Sequence, residues 1–199
     1  MKKQQILAVI LIAKSGSGKG TIAQALLDLD SVEYKKLALS VSDTTRPQKN
    51  GEIDGVHYNF IAVDEFKIRA RLHDTYLEWE EYAGNLYGSP KDQFNRNFEQ
   101  GKITLYDVEP NGARKLVEKI GREHVKVFHI VVPDDQRKER VRQRARDSEE
   151  EQVARELDDN KRFDDSLSEF ATTILYLDGS VAGVTANLIY NELFQKATV

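Results

Sequence analysis

The chain has 199 residues, 40% of them hydrophobic, which is enough to bury a core and short enough that one domain with appended pieces is the natural expectation. It has no cysteine, which excludes disulfide staples, cysteine nucleophiles and thiolate metal sites. The formal net charge of -4 excludes the broad basic footprint of a general nucleic-acid binder, so an anionic ligand would have to be held locally.

Lys2 and Lys3 ahead of an apolar run from Ile6 resemble the start of a secretory signal peptide. The run passes directly into Ser15-Gly16-Ser17-Gly18-Lys19-Gly20-Thr21, however, and reads better as a buried strand over Ile6–Ile12. No other apolar run approaches the ~20 residues of a membrane helix, so the expectation is a cytoplasmic protein that engages no membrane. Further strands are predicted at Lys36–Val41, Ile103–Asp107, Val125–Val132 and Thr173–Leu177. Helical patterns separate them, with Ile22, Leu26 and Leu29 on one apolar face and Leu188 and Leu193 on another. Such alternation predicts an α/β fold, a doubly wound parallel sheet with helices on both faces.

Two segments break the alternation. Residues 42–93 contain short strands at His57–Ile61 and Tyr76–Tyr82 around a helix from about Asp64 to His73. Ser89-Pro90 reads there as an N-cap followed by proline at the first helical position. Residues 137–170 are polar, open with Arg137, Lys138, Arg140, Arg142, Arg144 and Arg146, and turn acidic at Asp147; they predict a helical hairpin standing on the core. The core itself is assigned to residues 1–41, 94–136 and 171–199. His57, His73, His124 and His129 show no metal-ligand spacing and read as ordinary histidines.

Strand, glycine-rich loop and helix follow each other in the order of a phosphate-binding loop. Gly16 and Gly18 permit positive φ, which lets successive N–H groups wrap phosphate oxygens at the start of a helix. Lys19 supplies a point charge for the β and γ phosphates, and Thr21 a hydroxyl for phosphate or for the hydration shell of a magnesium ion. Ala13 and Gly20 depart from the pattern G-x-x-x-x-G-K-[ST], and Gly18-Lys19-Gly20-Thr21 resembles the loop of adenylate kinases.

Ser42-Asp43-Thr44-Thr45-Arg46-Pro47-Gln48-Lys49-Asn50-Gly51-Glu52 follows the second strand at a carboxyl edge, where open parallel sheets place ligands. With His57-Tyr58-Asn59-Phe60, Leu77-Glu78-Trp79 and Gly84-Asn85-Leu86-Tyr87-Gly88-Ser89 in this order, the chain resembles the guanylate kinase family over nearly its whole length. The resemblance implies an ATP- and Mg²⁺-dependent nucleoside monophosphate kinase acting on GMP or dGMP, present as a monomer or homodimer. Residues 42–93 would then hold the monophosphate and residues 137–170 would form the lid. It places ATP on residues 15–21, that is Ser15, Gly16, Ser17, Gly18, Lys19, Gly20 and Thr21. The acceptor phosphate falls to Arg46, Lys49, Tyr58 and Tyr87, and the base to Glu78 with Ser42 and Ser89. Catalytic positions are Lys19, Arg46 and the lid arginines Arg140, Arg144 and Arg155. Asp107 and Thr21 stand near the metal, and Glu109 near the acceptor nucleotide.

The chemistry supports the assignment of Glu78, since guanine presents adjacent N1–H and N2–H donors that two carboxylate oxygens can accept together, whereas adenine presents an acceptor at N1. Phosphoryl transfer also leaves little covalent work to the protein, in keeping with the absence of a histidine or cysteine nucleophile. Departures from the family's usual residues fall at Lys49 for arginine, Glu109 for aspartate, Ala145 for glycine, and Leu177-Asp178 where an asparagine near adenine is expected. A protein-interaction module of the same fold, or a kinase for another phosphorylated acceptor, stay open as alternatives on the sequence alone.

Overall fold

A computed structural model describes residues 5–33, 36–72, 74–144, 148–176 and 182–194. Its centre is a five-stranded sheet of β1 (Ala8–Ile12), β2 (Leu37–Leu39), β7 (Ile103–Asp107), β8 (Val125–Val131) and β9 (Thr173–Tyr176). Every pairing in it is parallel, and the order is β2-β7-β1-β8-β9. All five residues of β1 are buried, as a strand covered on both faces requires, and this is why its sequence is continuously apolar rather than alternating.

Alternate residues of β1 feed two separate cores. Val9 and Leu11 pack with Ile22 and Leu26 of α1 (Lys19–Glu33) and with Ala186, Ile189 and Tyr190 of α8 (Ala182–Phe194). Ala8, Ile10 and Ile12 pack with Ala113, Leu116 and Val117 of α4 (Pro110–Ile120) and with Leu167 of α7 (Leu167–Phe170). The doubly wound core is thus as the alternation predicts. On α8, however, Leu188 is 52% exposed and faces away; the buried stripe runs through Ala186, Ile189 and Tyr190, with Leu193 partly buried beside it.

The inserted segment comprises β3 (Asp43–Thr44), β4 (Asn59–Phe60), α2 (Val63–Leu72), β5 (Tyr76–Tyr82) and β6 (Asn85–Pro90), followed by α3 (Lys91–Glu99). Its strands build a separate four-stranded sheet in the order β4-β3-β6-β5. β4 is shorter than the predicted His57–Ile61, and β2 shorter than Lys36–Val41. β5 and β6 form a hairpin whose two-residue turn, Ala83-Gly84, has positive φ at both positions (48° and 74°), the geometry that tight hairpins favour.

β6 has no counterpart among the predicted elements, and it changes the reading of Ser89-Pro90. Ser89 is a fully buried strand residue whose hydroxyl donates to Glu78, so it cannot cap a helix. Pro90 itself is the N-cap of α3, with no side-chain capping bond.

The polar arm is helical, as expected, but begins earlier, with α5 (Asp134–Arg144) followed by α6 (Glu149–Arg162). Asp134 and Asp135 favour the start of α5 by complementing the helix dipole. α6 opens on a capping box in which the Ser148 hydroxyl accepts from the Glu151 N–H and Glu151 accepts from the Ser148 N–H. Arg137 fastens the two helices, donating to both oxygens of Glu156 at 2.7 Å and to Asp134 at 2.6 Å while almost wholly buried.

Candidate active site

The loop between β1 and α1 lies at the carboxyl edge of the sheet, and both Gly16 and Gly18 have φ of +83°, the left-handed conformation expected of them. Space as well as φ restricts Gly16, because a Cβ there would lie 2.4 Å from the Arg137 carbonyl oxygen and 2.8 Å from the Val141 side chain of α5. At Gly18 the nearest atom is the Arg140 guanidinium at 3.7 Å. Gly16→Ala is therefore expected to cost more than the ~1–2 kcal/mol of a left-handed alanine, and Gly18→Ala about that amount. Melting temperatures of the two variants check the ordering.

Lys19 opens α1 and points across the loop to the end of β7. Its Nζ lies 2.9 Å from Asp107 Oδ1 and 3.3 Å from Glu109 Oε1, and donates to the Val108 carbonyl at 3.0 Å. Burial alone would depress the lysine, but the attraction of Asp107 and Glu109 outweighs it and holds the pKa above the usual lysine value. Glu109 is pushed up by burial against the opposing pull of Lys19, and its Oε2 is buried with no hydrogen-bond partner among the described residues. Asp107 Oδ2 lies 3.8 Å from where a Cβ on Gly20 would stand.

Facing this lysine are the residues of the inserted segment. Arg46, only 5% exposed, has its guanidinium 5.3 Å from the Tyr58 ring centre, and the Tyr58 and Tyr87 rings meet edge-on at 5.9 Å. The fork of Arg46 is held by Glu52 through two bonds of 3.0 and 2.8 Å, and Glu52 also accepts from the Lys49 N–H at 2.8 Å. Lys49 Nζ lies 3.7 Å from Glu151 of α6; burial, aided by Arg155, lowers its pKa.

Deeper in the cleft, the register of β5 and β6 sets Glu78 opposite Ser89, whose hydroxyl donates to Glu78 Oε1 at 2.5 Å. Gly112 in the first turn of α4 admits the other oxygen, since a Cβ there would lie 2.8 Å from Glu78 Oε2. Burial pushes the Glu78 carboxyl up to about 7 against the hydrogen bond from Ser89.

One cleft thus gathers Ser15, Gly16, Ser17, Gly18, Lys19, Gly20, Ser42, Arg46, Lys49, Tyr58, Glu78, Tyr87, Asp107, Glu109 and Arg155 from the predicted set. Ser89 stands behind Glu78 rather than on the cleft wall, and Arg140 approaches the loop at Gly18. Thr21 is exposed and outside the cleft lining. Arg144 ends α5, but its side chain, like Ala145 and Leu177-Asp178, lies outside the described residues. Sequence reasoning missed Glu52, Tyr82 and Gly112 on the cleft wall, as well as Asp159 behind the loop. Glu52 alone had a signal, a carboxylate three residues after Lys49 in the same basic loop.

Strand, glycine-rich loop and helix on a five-stranded parallel sheet, with a small sheet and a helical arm beside the loop, define a P-loop α/β protein. The family model described as guanylate kinase matches residues 5–178. The guanylate kinase of Rhizobium etli is 40% identical over 144 residues, covering 72% of this chain and 63% of that protein. That of Caldanaerobacter subterraneus subsp. tengcongensis is 37% identical over 153 residues, covering 77% of this chain and 71% of that protein. The chain thus spans just under two thirds of the length of the rhizobial relative.

Among solved structures, guanylate kinase from Anaplasma phagocytophilum superposes with a TM-score of 0.69 at 28% identity, over 95% of this chain and 86% of the other. A shikimate kinase from Acinetobacter baumannii, at a TM-score of 0.50 and 14% identity over 98% of this chain and 97% of the other, shares the fold alone. The chain belongs to the guanylate kinase family.

Proposed function

We propose that the protein transfers the terminal phosphate of ATP to GMP or dGMP, giving ADP and GDP or dGDP. One observation carries the reading: a buried glutamate, Glu78, shares one cleft with the loop lysine and with Arg46, Lys49, Tyr58 and Tyr87. The guanine edge then lies against Glu78, and the monophosphate against the arginine, lysine and tyrosines. Lys19 meets the β and γ phosphates of ATP.

Arg46 can turn its fork to the phosphate, with Glu52 orienting it beforehand. As Lys19 engages phosphate, Asp107 and Glu109 hold its side chain across the loop. Arg140, near Gly18, and Arg155, on the cleft wall, supply positive charge for the equatorial oxygens of the transferring group, joined by Arg144 in the family assignment. Closure of the cleft by the inserted segment and the arm would exclude water and suppress hydrolysis of ATP.

The carboxylates also suit magnesium. Mg²⁺ takes one or two protein carboxylates and completes its shell with water and phosphate oxygens; Asp107 and the orphaned oxygen of Glu109 offer hard donors beside the loop. Asp107 would hold the ion directly or through water, and the ion would supply charge neutralisation on the β and γ phosphates. Thr21 is exposed and outside the cleft lining, so the carboxylates rather than its hydroxyl support the metal reading.

A coupled assay supplying ATP, Mg²⁺ and one nucleoside monophosphate at a time is expected to show turnover with GMP and dGMP and little with AMP, CMP or UMP. Absence of turnover with both guanine nucleotides would overturn the assignment. Lys49 gives a finer test, because an ammonium keeps the charge of arginine without its planar fork. Lys49→Arg is expected to lower the KM for GMP by about fivefold, close to 1 kcal/mol, with the KM for ATP unchanged. An unaltered KM for GMP would mean that this position does not grip the acceptor phosphate.

A further inference from the structure

Asp159 lies on α6 one helical turn beyond Arg155, and it is fully buried. The reaction outlined above gives it no part. Its Oδ2 accepts from the backbone N–H of Ser15 at 2.8 Å, and its Oδ1 accepts from the Tyr82 hydroxyl at 3.0 Å. The first bond reaches the phosphate loop. The second reaches β5 four residues beyond Glu78, where the two-residue period of a strand returns to the face that carries Glu78. A buried carboxylate is costly unless its oxygens are satisfied, and here both are satisfied only while loop, helix and strand keep this arrangement.

Neighbouring residues of α6 reinforce the junction on both sides. Toward the loop, Lys14 Nζ donates to Asn160 at 3.3 Å. Toward the hairpin, the Ala83 N–H donates to Asp158 at 2.7 Å, and Arg162 donates to the Glu81 carbonyl at 2.5 Å. The guanidinium groups of Arg155 and Arg162 lie 5.7 and 5.8 Å from the Tyr82 ring centre, so two cations of the same helix are within cation–π reach of the tyrosine.

We propose that Asp159 is a positioning residue that couples the two nucleotide sites, holding the phosphate loop through Ser15, the Glu78-bearing strand through Tyr82, and between them the helix that presents Arg155. The proposal rests on the phosphotransfer reading above. When one nucleotide orders its wall of the cleft against α6, both partners of Asp159 are in place, and the second nucleotide binds to a site whose ordering cost has already been met. Affinity for each nucleotide then depends on the presence of the other, and the dependence runs through the Tyr82 hydroxyl.

The test is calorimetric titration of the full chain with a non-hydrolysable ATP analogue and Mg²⁺, with and without saturating GMP, for the wild type, Tyr82→Phe and Asp159→Asn. GMP is expected to tighten analogue binding by about tenfold in the wild type. In Tyr82→Phe, which loses only a hydroxyl, the factor is expected to fall below about threefold. Asp159→Asn keeps the shape but only one accepting oxygen, and is expected to lose the coupling likewise and to lower kcat more than it raises either KM. Should that variant fail to fold, Tyr82→Phe decides. An equal coupling factor in the wild type and Tyr82→Phe, or none in a wild type that binds both nucleotides, overturns the role of Asp159 alone; a wild type that binds neither nucleotide overturns the phosphotransfer reading and this role with it.

Discussion

Replacing Lys19 with methionine is expected to lower kcat/KM for the phosphorylation of GMP by roughly 10³-fold while leaving the chain folded. The lysine stands at the mouth of the loop within reach of Asp107, Glu109 and the Val108 carbonyl, so its charge is held in place before any phosphate arrives. That preorganisation makes the loss large. A lysine free in solvent would have to be ordered during the reaction, and its removal would cost less.

Stability should suffer far less than activity. Without the lysine, Glu109 is already disposed to take a proton, since burial has raised its pKa, and neutralisation avoids an unpaired buried charge. A loss of about 1–3 kcal/mol is expected, in line with hydrogen bonds to charged groups. Steady-state kinetics and thermal unfolding of the same preparation check the two halves. A kcat/KM within tenfold of wild type would show that the transferred phosphate lies elsewhere.

Glu78→Gln is expected to reduce kcat/KM for GMP by a similar factor, roughly 10³-fold, with ATP binding little changed. Guanine offers two donors side by side, and an amide meets them with one acceptor and one donor. Ser89 can still donate to the remaining oxygen, so the variant keeps its local support.

Acid should mimic the same defect in the wild type. Because burial places the Glu78 carboxyl at about 7, the free protein carries it largely protonated below that pH, and a bound guanine must displace the proton. The apparent affinity for GMP is expected to fall about tenfold for each pH unit below 7 and to level off above it. The Glu78→Gln variant should lack this dependence, which KM values for GMP between pH 6 and 9 would reveal. A flat wild-type profile would argue that Glu78 does not read the base.

The sign for folding is opposite. A carboxyl whose pKa is raised in the folded state retains a proton that the unfolded chain releases, so this group makes the fold lose stability as pH rises from the usual carboxylate range through about 7. Glu78→Gln should remove that slope from the dependence of unfolding free energy on pH.

The features legible in the sequence are those written in short-range order. A continuously apolar β1 running into a loop with glycine at positions 16 and 18 and lysine at 19 needs only local backbone chemistry to be read, and the positive φ at both glycines agrees. Crossover helices with one apolar face likewise announce a parallel sheet, because both of its faces must be covered. The exposed Leu188 shows the limit even there. Periodicity marks a stripe, while which residues of α8 meet Val9 and Leu11 depends on how the helix is rotated on the sheet.

What only the tertiary structure decided is pairing across distance. Ser89 looked like a helix cap until β6 paired with β5 and turned its hydroxyl to Glu78; Gly112, far along the chain, proved to be the opening that admits the other carboxylate oxygen. Glu52 on Arg46 and Asp159 between Ser15 and Tyr82 follow the same pattern. A charged or polar side chain has no periodicity to give away its partner. Whether it faces solvent or closes a buried network is settled only when the folded chain removes water from around it, and the cost of leaving it unpaired there selects the partner.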